Sequence, residues 1–239
     1  MAVRWSVVIP AFNEATRLPP YLEQIFEYFE GRGEPYEVLV VNDASSDGTG
    51  EMLRAVAARQ PALRVLTHAH NHGKGGAVRA GMLAATGAFR LFTDADGATP
   101  IAELKRLEPA LAAGADVVIG SRALADPAVS VRTRAHRLAA GRVFNWVVAR
   151  LGLHGIADTQ CGFKAFTAAA AARLFGPLET QGFGFDVELL LRARSAGMRI
   201  VEVAVNWADQ AGSKVRVLTT GPAMVVEIVR ARWRIGRAR

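Results

Sequence analysis

Asp94 and Asp96 stand two residues apart in LFTDADGATP, Leu91–Pro100, directly after an apolar run and directly before a turn. Side chains at i and i+2 of an extended segment share a face, so strand geometry carried to this point aims both carboxylates the same way. Two carboxylates held close repel unless a cation lies between or beside them. A divalent ion carrying a diphosphate is one answer, because a hard cation takes one or two carboxylates and fills its other positions with water and phosphate oxygens. A turn is the other, because Asp-Gly before Pro is good turn chemistry. This stretch alone leaves both open.

Two more loops carry chemistry. In VVNDASSDGT, Asn42 and Asp43 end an apolar run, and a carboxylate there can accept hydrogen bonds from a base N–H or a ribose hydroxyl. Asp47, Gly48 and Thr49 read as the cap of the next helix. In HNHGKGGAVRAG, Gly73, Gly75 and Gly76 flank Lys74 before a helical pattern, a Gly-rich helix start suited to anionic groups. The spacing G-x-x-x-x-G-K-[ST] is absent, so this is not a Walker A loop. The single Cys161 allows no intramolecular disulfide, points to a reducing compartment and reads as a small packing residue.

The elements that must position these residues follow from periodicity. Short β-branched runs predict strands at Trp5–Ile9, Glu37–Asn42, Arg64–Thr67, Phe89–Thr93, Val117–Ser121 and Arg199–Val205. Between them the pattern predicts helices at Thr16–Gly31, Gly48–Gln60, Gly73–Ala85, Ile101–Ala113, His136–Leu151, Thr167–Phe175 and Asp186–Ala196, with a last one from about Gly221. Such alternation implies an α/β, Rossmann-like fold on a mostly parallel mixed sheet flanked by helices, where ligands gather at the carboxyl ends of strands. PAFNE, NDASSDGT and DADGAT all fall at such ends. No linker or internal repeat divides the chain, so one domain over residues 1–220, followed by a basic helical segment at 221–239, is the economical organisation.

Composition bounds the partners. The chain has 239 residues, 51% of them hydrophobic, ample for a packed core and incompatible with a disordered or fibrous chain. Its net charge of +7 favours polyanions: phosphorylated small molecules, an anionic membrane surface or nucleic acid. Nucleic acid is disfavoured, because the loops place carboxylates where phosphates would pass and no aromatic-rich basic motif occurs. The N-terminal apolar stretch closes at Pro10 and reads as a first strand, and no window nears the roughly 18 apolar residues of a spanning helix.

The ordered series VVIPAFNEATRL, VLVVNDASSDGT, NHGKGGAVRAGM, LFTDADGATP, VVIGSR, DTQCGFKAF, FGFDVELLLRA and VNWADQAGSK resembles the inverting family 2 glycosyltransferases. It is most similar to their polyprenyl-phosphate branch, that of the dolichyl-phosphate β-glucosyltransferases. The similarity runs from about Val7 to Lys214 and is more specific for the family than for the sugar. It implies a GT-A fold, with a donor-binding half over 1–122 and an acceptor half over 123–220, and a nucleotide-sugar donor used with Mg or Mn.

Carried over, the resemblance places Pro10, Ala11, Asn13 and Glu14 along the nucleoside and Asp43 at the uracil or ribose. Asp94 would face the ribose and metal side, and Asp96 would ligate the metal directly. Lys74 would lie near the donor, while Arg79 serves either the donor or a structural salt bridge. Ser121 and Arg122 would face the reaction centre, where a guanidinium can clamp phosphate. Gln160, beside Asp158 and Thr159, and Lys164 would serve the acceptor phosphate. Asp186 is either a catalytic carboxylate or a helix cap, with Glu188 near it, and Lys214 either reaches the diphosphate or sits in a surface turn.

The implied acceptor is a polyprenyl phosphate, dolichyl or undecaprenyl, which calls for a peripheral enzyme at the inner face of the plasma membrane. Two segments could touch lipid. Arg132, Arg134, Arg137, Arg142 and Arg150 surround Leu138, Val143, Phe144, Trp146, Val147 and Leu151, and five Arg crowd the last ten residues around Trp233 and Ile235. A core-packed helix with a solvated basic tail is the plainer alternative for the latter. Transfer to a soluble hydroxyl with Asp186 as base, and noncatalytic nucleotide-sugar binding, are the competing functions. Oligomeric state is not legible.

Overall fold

The computed structural model describes residues 2–132, 148–210 and 217–237. Its centre is built from apolar runs buried on both faces, as parallel strands require. Strand β1 (Trp5–Ala11) pairs in parallel with β2 (Tyr36–Asn42) and β4 (Phe89–Thr93), and β2 with β3 (Leu63–Thr67). Beyond β4 lie β7 (Phe163–Thr167), β5 (Val117–Ser121) and β8 (Ile200–Ala204), giving the order β3-β2-β1-β4-β7-β5-β8. Two-residue strands β6 (Val131–Arg132) and β9 (Trp207–Ala208) pair separately.

Alternation along each strand feeds two cores. Val7, Ile9, Val38 and Val40 pack with α1 (Leu18–Glu30), α2 (Thr49–Ala57) and α4 (Leu104–Ala112), through Leu22, Leu53 and Leu107 among others. Val8, Leu39 and Phe92 turn to the other face, against α3 (Gly73–Ala84), α5 (Ala168–Phe175), α6 (Phe185–Ser195) and Ile228 of α7 (Val217–Arg237). Each fully buried Leu, Ile or Phe contributes about 1.5–3 kcal/mol of transfer free energy, and this double-sided burial holds the strand ends in place.

The sequence pattern misses one strand of the main sheet and both strands of the two-residue pair. Residues 163–167, expected to belong to an acceptor-side loop, form β7, antiparallel to both β4 and β5. Lys164 hid it: a lysine amid FKAFT breaks the apolar run, yet it sits opposite Phe92 and Ile119 and is wholly buried. The sheet is therefore mixed. The helix expected at His136–Leu151 lies almost wholly outside the described residues; at its end, Ala149–Leu153 is a π-helical turn with Gly152 at φ 112°. The last helix begins at Val217, a turn before the expected Gly221. A 3-10 turn, Ile101–Glu103, precedes α4 where one continuous helix was expected.

Candidate active site

The carboxyl ends of β1, β2 and β4 open onto one cavity of about 650 Å3, lined by Pro10, Ala11, Phe12, Glu14, Arg17, Asp43, Asn71, Gly73, Lys74, Ala77, Asp94, Ala95, Asp96 and Phe183. Pro10 and Ala11 end β1, Gly73, Lys74 and Ala77 open α3, and the other nine lie in loops. Strand β4 stops at Thr93, so the two aspartates share the cavity through the following turn and not through an extended strand. Gly97 makes that turn. Its φ is +65°, and a Cβ there would stand 2.9 Å from the Tyr21 ring. Tyr21 in turn hydrogen-bonds Thr93 Oγ1 at 2.9 Å and donates to the Thr99 carbonyl at 3.2 Å, tying the turn to α1.

Lys74 Nζ lies 2.7 Å from Asp94 Oδ1, with the Phe92, Phe183 and Phe185 rings 5.4–5.9 Å away. Burial by itself would lower the Lys74 pKa, but Asp94 and Asp186 together raise it, so the ammonium stays charged. Asp96 is pushed above the usual carboxylate range by burial first and by the Asp94 charge second. Its Oδ1 accepts from Ala98 N at 3.1 Å, and Arg17 Nη1 approaches Oδ2 at 4.0 Å. Cations therefore stand against both carboxylates. Gly162 backs the pair: its carbonyl accepts from Asp94 N at 3.0 Å, and a Cβ there would run into the Asp94 carboxylate.

That donor set fits a divalent ion shared with a ligand. Among the described residues no group of three or more His, Cys, Asp or Glu offers an all-protein cage. Two carboxylates in an open cavity suit a hard ion that completes its shell with water and phosphate oxygens.

Asp43 is 3% exposed, and its Oδ1 accepts from His68 Nδ1 at 2.7 Å and from His72 N at 2.9 Å. One carboxylate oxygen is thus fixed by the frame while the residue still borders the cavity. Asn71 braces it by donating to the Asp43 carbonyl at 3.2 Å. The glycines ahead of α3 serve close packing: Gly75 N donates to Gln181 O at 2.7 Å, and a Cβ on Gly75 would collide with the Thr180 carbonyl and Phe185.

The other expected residues divide. Asn13, at φ +54°, turns to the neighbouring loop, where its Oδ1 accepts from Ser46 N at 2.8 Å. It does not border the cavity. Glu14 accepts from Arg17 Nε and Nη2 at 2.8 and 2.6 Å, which makes it the anchor of Arg17. Ser121 is buried and its Oγ accepts from Ala123 N and Leu124 N, capping the turn after β5. Arg122 forks onto Asp158 at 2.6 and 2.8 Å and lies 5.5 Å from the Trp207 ring centre. That bidentate pair occupies the edge expected to clamp phosphate. Burial would raise the Asp158 pKa, but the Arg122 charge and its hydrogen bonds hold it below the usual range.

Lys164, expected at an acceptor phosphate, instead donates to Cys161 O at 2.6 Å and Asp186 Oδ1 at 2.5 Å, both within the protein. Asp186 is 2% exposed and is not the helix cap, since Gly184 holds that position; burial raises its pKa against the pull of Lys164 and Lys74. Glu188 is buried and accepts from Thr180 N and Arg192 Nε. Arg79 donates to the Phe175 and Gly176 carbonyls, the structural role. Gln160 Nε2 is buried without a hydrogen-bond partner among the described residues. Cys161 is buried, its thiol pushed up to about 12 by burial, as a packing residue would be. Lys214 lies outside the described residues. Sequence reasoning missed Arg17, His68, Asn71 and Phe183; Arg17, three residues after Glu14, was the one with a readable signal.

The model of the family described as Glycosyl transferase family 2 matches residues 6–175. A dolichyl-phosphate beta-glucosyltransferase of Drosophila melanogaster is 41% identical over 223 residues, 87% of this chain and 68% of that protein. One from Dictyostelium discoideum is 36% identical over 241 residues, 96% of this chain and 74% of its own length. A third, from Trichomonas vaginalis, is 39% identical, over 89% of this chain and 66% of that protein, so the chain spans about two thirds to three quarters of these relatives. Among solved structures, mannosyl-3-phosphoglycerate synthase from Rubrobacter xylanophilus superposes with a TM-score of 0.72 at 22% identity, covering 99% of this chain and 76% of that one. Glucosyl-3-phosphoglycerate synthase from Mycobacterium tuberculosis in complex with uridine-diphosphate gives 0.71 at 19%, covering 96% and 80%. These neighbours carry the GT-A fold. The family match over most of the chain, with relatives at 36–41% identity, fixes the assignment: the chain belongs to glycosyl transferase family 2.

Proposed function

We propose that the chain transfers glucose from UDP-glucose, with inversion, to a polyprenyl phosphate of the dolichyl or undecaprenyl type at the surface of a membrane. The observation that carries this reading is the convergence of Pro10, Asp43, Lys74, Asp94 and Asp96 on one cavity at the carboxyl ends of the strands. The acceptor and sugar follow the relatives, dolichyl-phosphate beta-glucosyltransferases by name. A neighbour solved with Mn2+ and uridine-diphosphate-glucose supports the donor and a divalent ion, Mg or Mn.

In this reading Asp43 accepts from the uracil or ribose, Pro10 and Ala11 shape the nucleoside seat, and Asp94 and Asp96 hold the ion. When bound, the ion would neutralise charge on the departing UDP. Lys74 and Arg17 add fixed positive charge at the same place. A bound ion would stand in for Lys74 as the counter-charge of Asp94 and leave that ammonium available to phosphate, while Arg17 keeps its two bonds to Glu14.

A phosphomonoester has a second pKa near 6 and is largely a dianion at neutral pH, a nucleophile that needs no strong base. Asp186 is accordingly given no such task, and its ion pair with Lys164 agrees with that. Catalysis then rests on holding the phosphate in line with the anomeric carbon while water is excluded. The reading also places the enzyme on the inner face of the plasma membrane as a peripheral protein; among the described residues no helix is long and apolar enough to cross a membrane.

The test incubates the protein with radiolabelled UDP-glucose, a polyprenyl phosphate and Mg or Mn, then counts label extracted into organic solvent. Label that appears there and disappears with EDTA is the expected result. UDP release only with a soluble hydroxyl acceptor would overturn the lipid reading.

A further inference from the structure

Helix α7 has two apolar faces, and among the described residues only one is covered. At about 100° per residue, Met224, Ile228, Ala231 and Ile235 fall on one side of the helix, and the first three are buried in the protein. Val226, Val229 and Trp233 fall on the opposite side, 49%, 52% and 61% exposed. They are three of the six large hydrophobic residues exposed among the described residues. Arg230 and Arg237, both exposed, share their arc of about 100°, and the Arg237 guanidinium lies 4.2 Å over the Trp233 ring.

We infer that this stripe seats the protein on an anionic lipid bilayer, with Val226, Val229 and Trp233 entering the interface and Arg230 and Arg237 meeting lipid phosphates. Charge decides between lipid and a second copy of the chain. Glu227 is the helix's single carboxylate, and it is turned inward, accepting from Gly184 N at 2.9 Å. Two such stripes face to face would set arginine against arginine with no acid between them. An anionic bilayer supplies the missing charge, and an indole beside a guanidinium suits the headgroup boundary.

The helix is also tied to the cavity. Arg234 reaches Glu179 at 2.8 Å and Glu188 at 3.4 Å, while Glu188 accepts from Thr180 N and Glu227 from Gly184 N. Those bonds hold both ends of the loop that carries Phe183 into the cavity wall. A helix seated on lipid therefore presents the cavity at a fixed orientation to the bilayer. This last step rests on the proposed lipid acceptor; the seating itself does not.

The experiment is flotation of the full chain with phosphatidylcholine vesicles, with and without 30% phosphatidylglycerol by composition, roughly the anionic share that gives a substantial surface potential. Wild type is compared with Val226→Ser/Val229→Ser/Trp233→Ser and with Arg230→Gln/Arg237→Gln, and light scattering gives the mass of each in solution. The expected result is binding to anionic vesicles that falls about tenfold or more in each variant and weakens with salt. UDP-glucose affinity should be unchanged in both variants, which shows that they are folded. Equal binding by wild type and variants, or none by wild type, overturns the inference, as does a dimer that the serine variant dissolves. Transfer to a short, detergent-dispersed polyprenyl phosphate separates the two claims: its absence with vesicle binding intact sinks the acceptor, not the seating.

Discussion

Strand β2 carries a carboxylate at each end of its run, and the two live in opposite circumstances. At the amino end, Glu37 accepts from Ser6 Oγ, Thr86 N, Thr86 Oγ1 and Arg64 Nη1, all within 2.7 Å. Burial would raise its pKa, but those bonds hold it below the usual range. At the carboxyl end, Asp43 has one oxygen fixed, and beyond it Asp96 sits with its pKa raised beside Asp94. One end of the sheet satisfies its charges and the other leaves them facing a cavity. A frame group is recognised by saturation and a site group by its incompleteness, which is why ligand chemistry belongs at the carboxyl ends.

Breaking the contrast at its open end should have the largest effect. Asp96→Asn is expected to slow transfer by about 100- to 1000-fold, in the range seen when one preorganised electrostatic group is lost, with an unchanged circular dichroism spectrum. Breaking it on the saturated side should cost stability instead. Asp158→Asn strips Arg122 of its bidentate partner in a buried setting, and denaturant titration should show a loss of about 3 kcal/mol.

Gly97→Ala lies between the two, because it strains a left-handed turn by about 1–2 kcal/mol and crowds Tyr21. It should lower both thermal stability and donor affinity, whereas a purely structural turn would lower only the first.

Acid sharpens the comparison. Glu37, Asp158 and Glu188 have folded pKa values below their unfolded ones, so their contribution is present above about pH 4 and lost as pH falls through the folded values. Asp96 has a raised folded pKa, so its contribution runs the other way: present at low pH, lost as pH rises through that value. On acidification from neutrality, donor binding should therefore fail before the protein unfolds. Parallel pH profiles of UDP-glucose affinity and ellipticity check the order; coincident loss would contradict it. Tyr21→Phe, which removes one buried hydroxyl bonded to Thr93 and Thr99, should cost only about 1 kcal/mol.

How much of this was legible in the sequence follows the same divide. Strands with unbroken apolar runs, such as Val38–Val41, were read nearly to the residue because burial on both faces leaves one pattern. β7 was not, because its central Lys164 spends its charge on Asp186, a residue 22 positions away that no local window contains. The site shows the same limit. Asp94, Asp96 and Asp43 announced themselves by type and place at strand ends and Lys74 by its Gly-rich helix start, and they do share the cavity. Ser121, Arg122 and Lys164 looked equal to them in sequence, and only their partners, Ala123 N, Asp158 and Asp186, mark them as frame. Polar residues at a strand end can be found by pattern; whether their hydrogen bonds are already taken is a tertiary fact.

The most direct test of the account is calorimetric titration of UDP-glucose into wild type and Asp96→Asn, each with Mn and with EDTA. Wild type with Mn should bind tightly, EDTA should weaken it about tenfold or more, and Asp96→Asn should bind weakly with or without EDTA. Equal, metal-independent affinity in both proteins would contradict it, and would leave the open carboxylates at the end of β4 as turn residues alone.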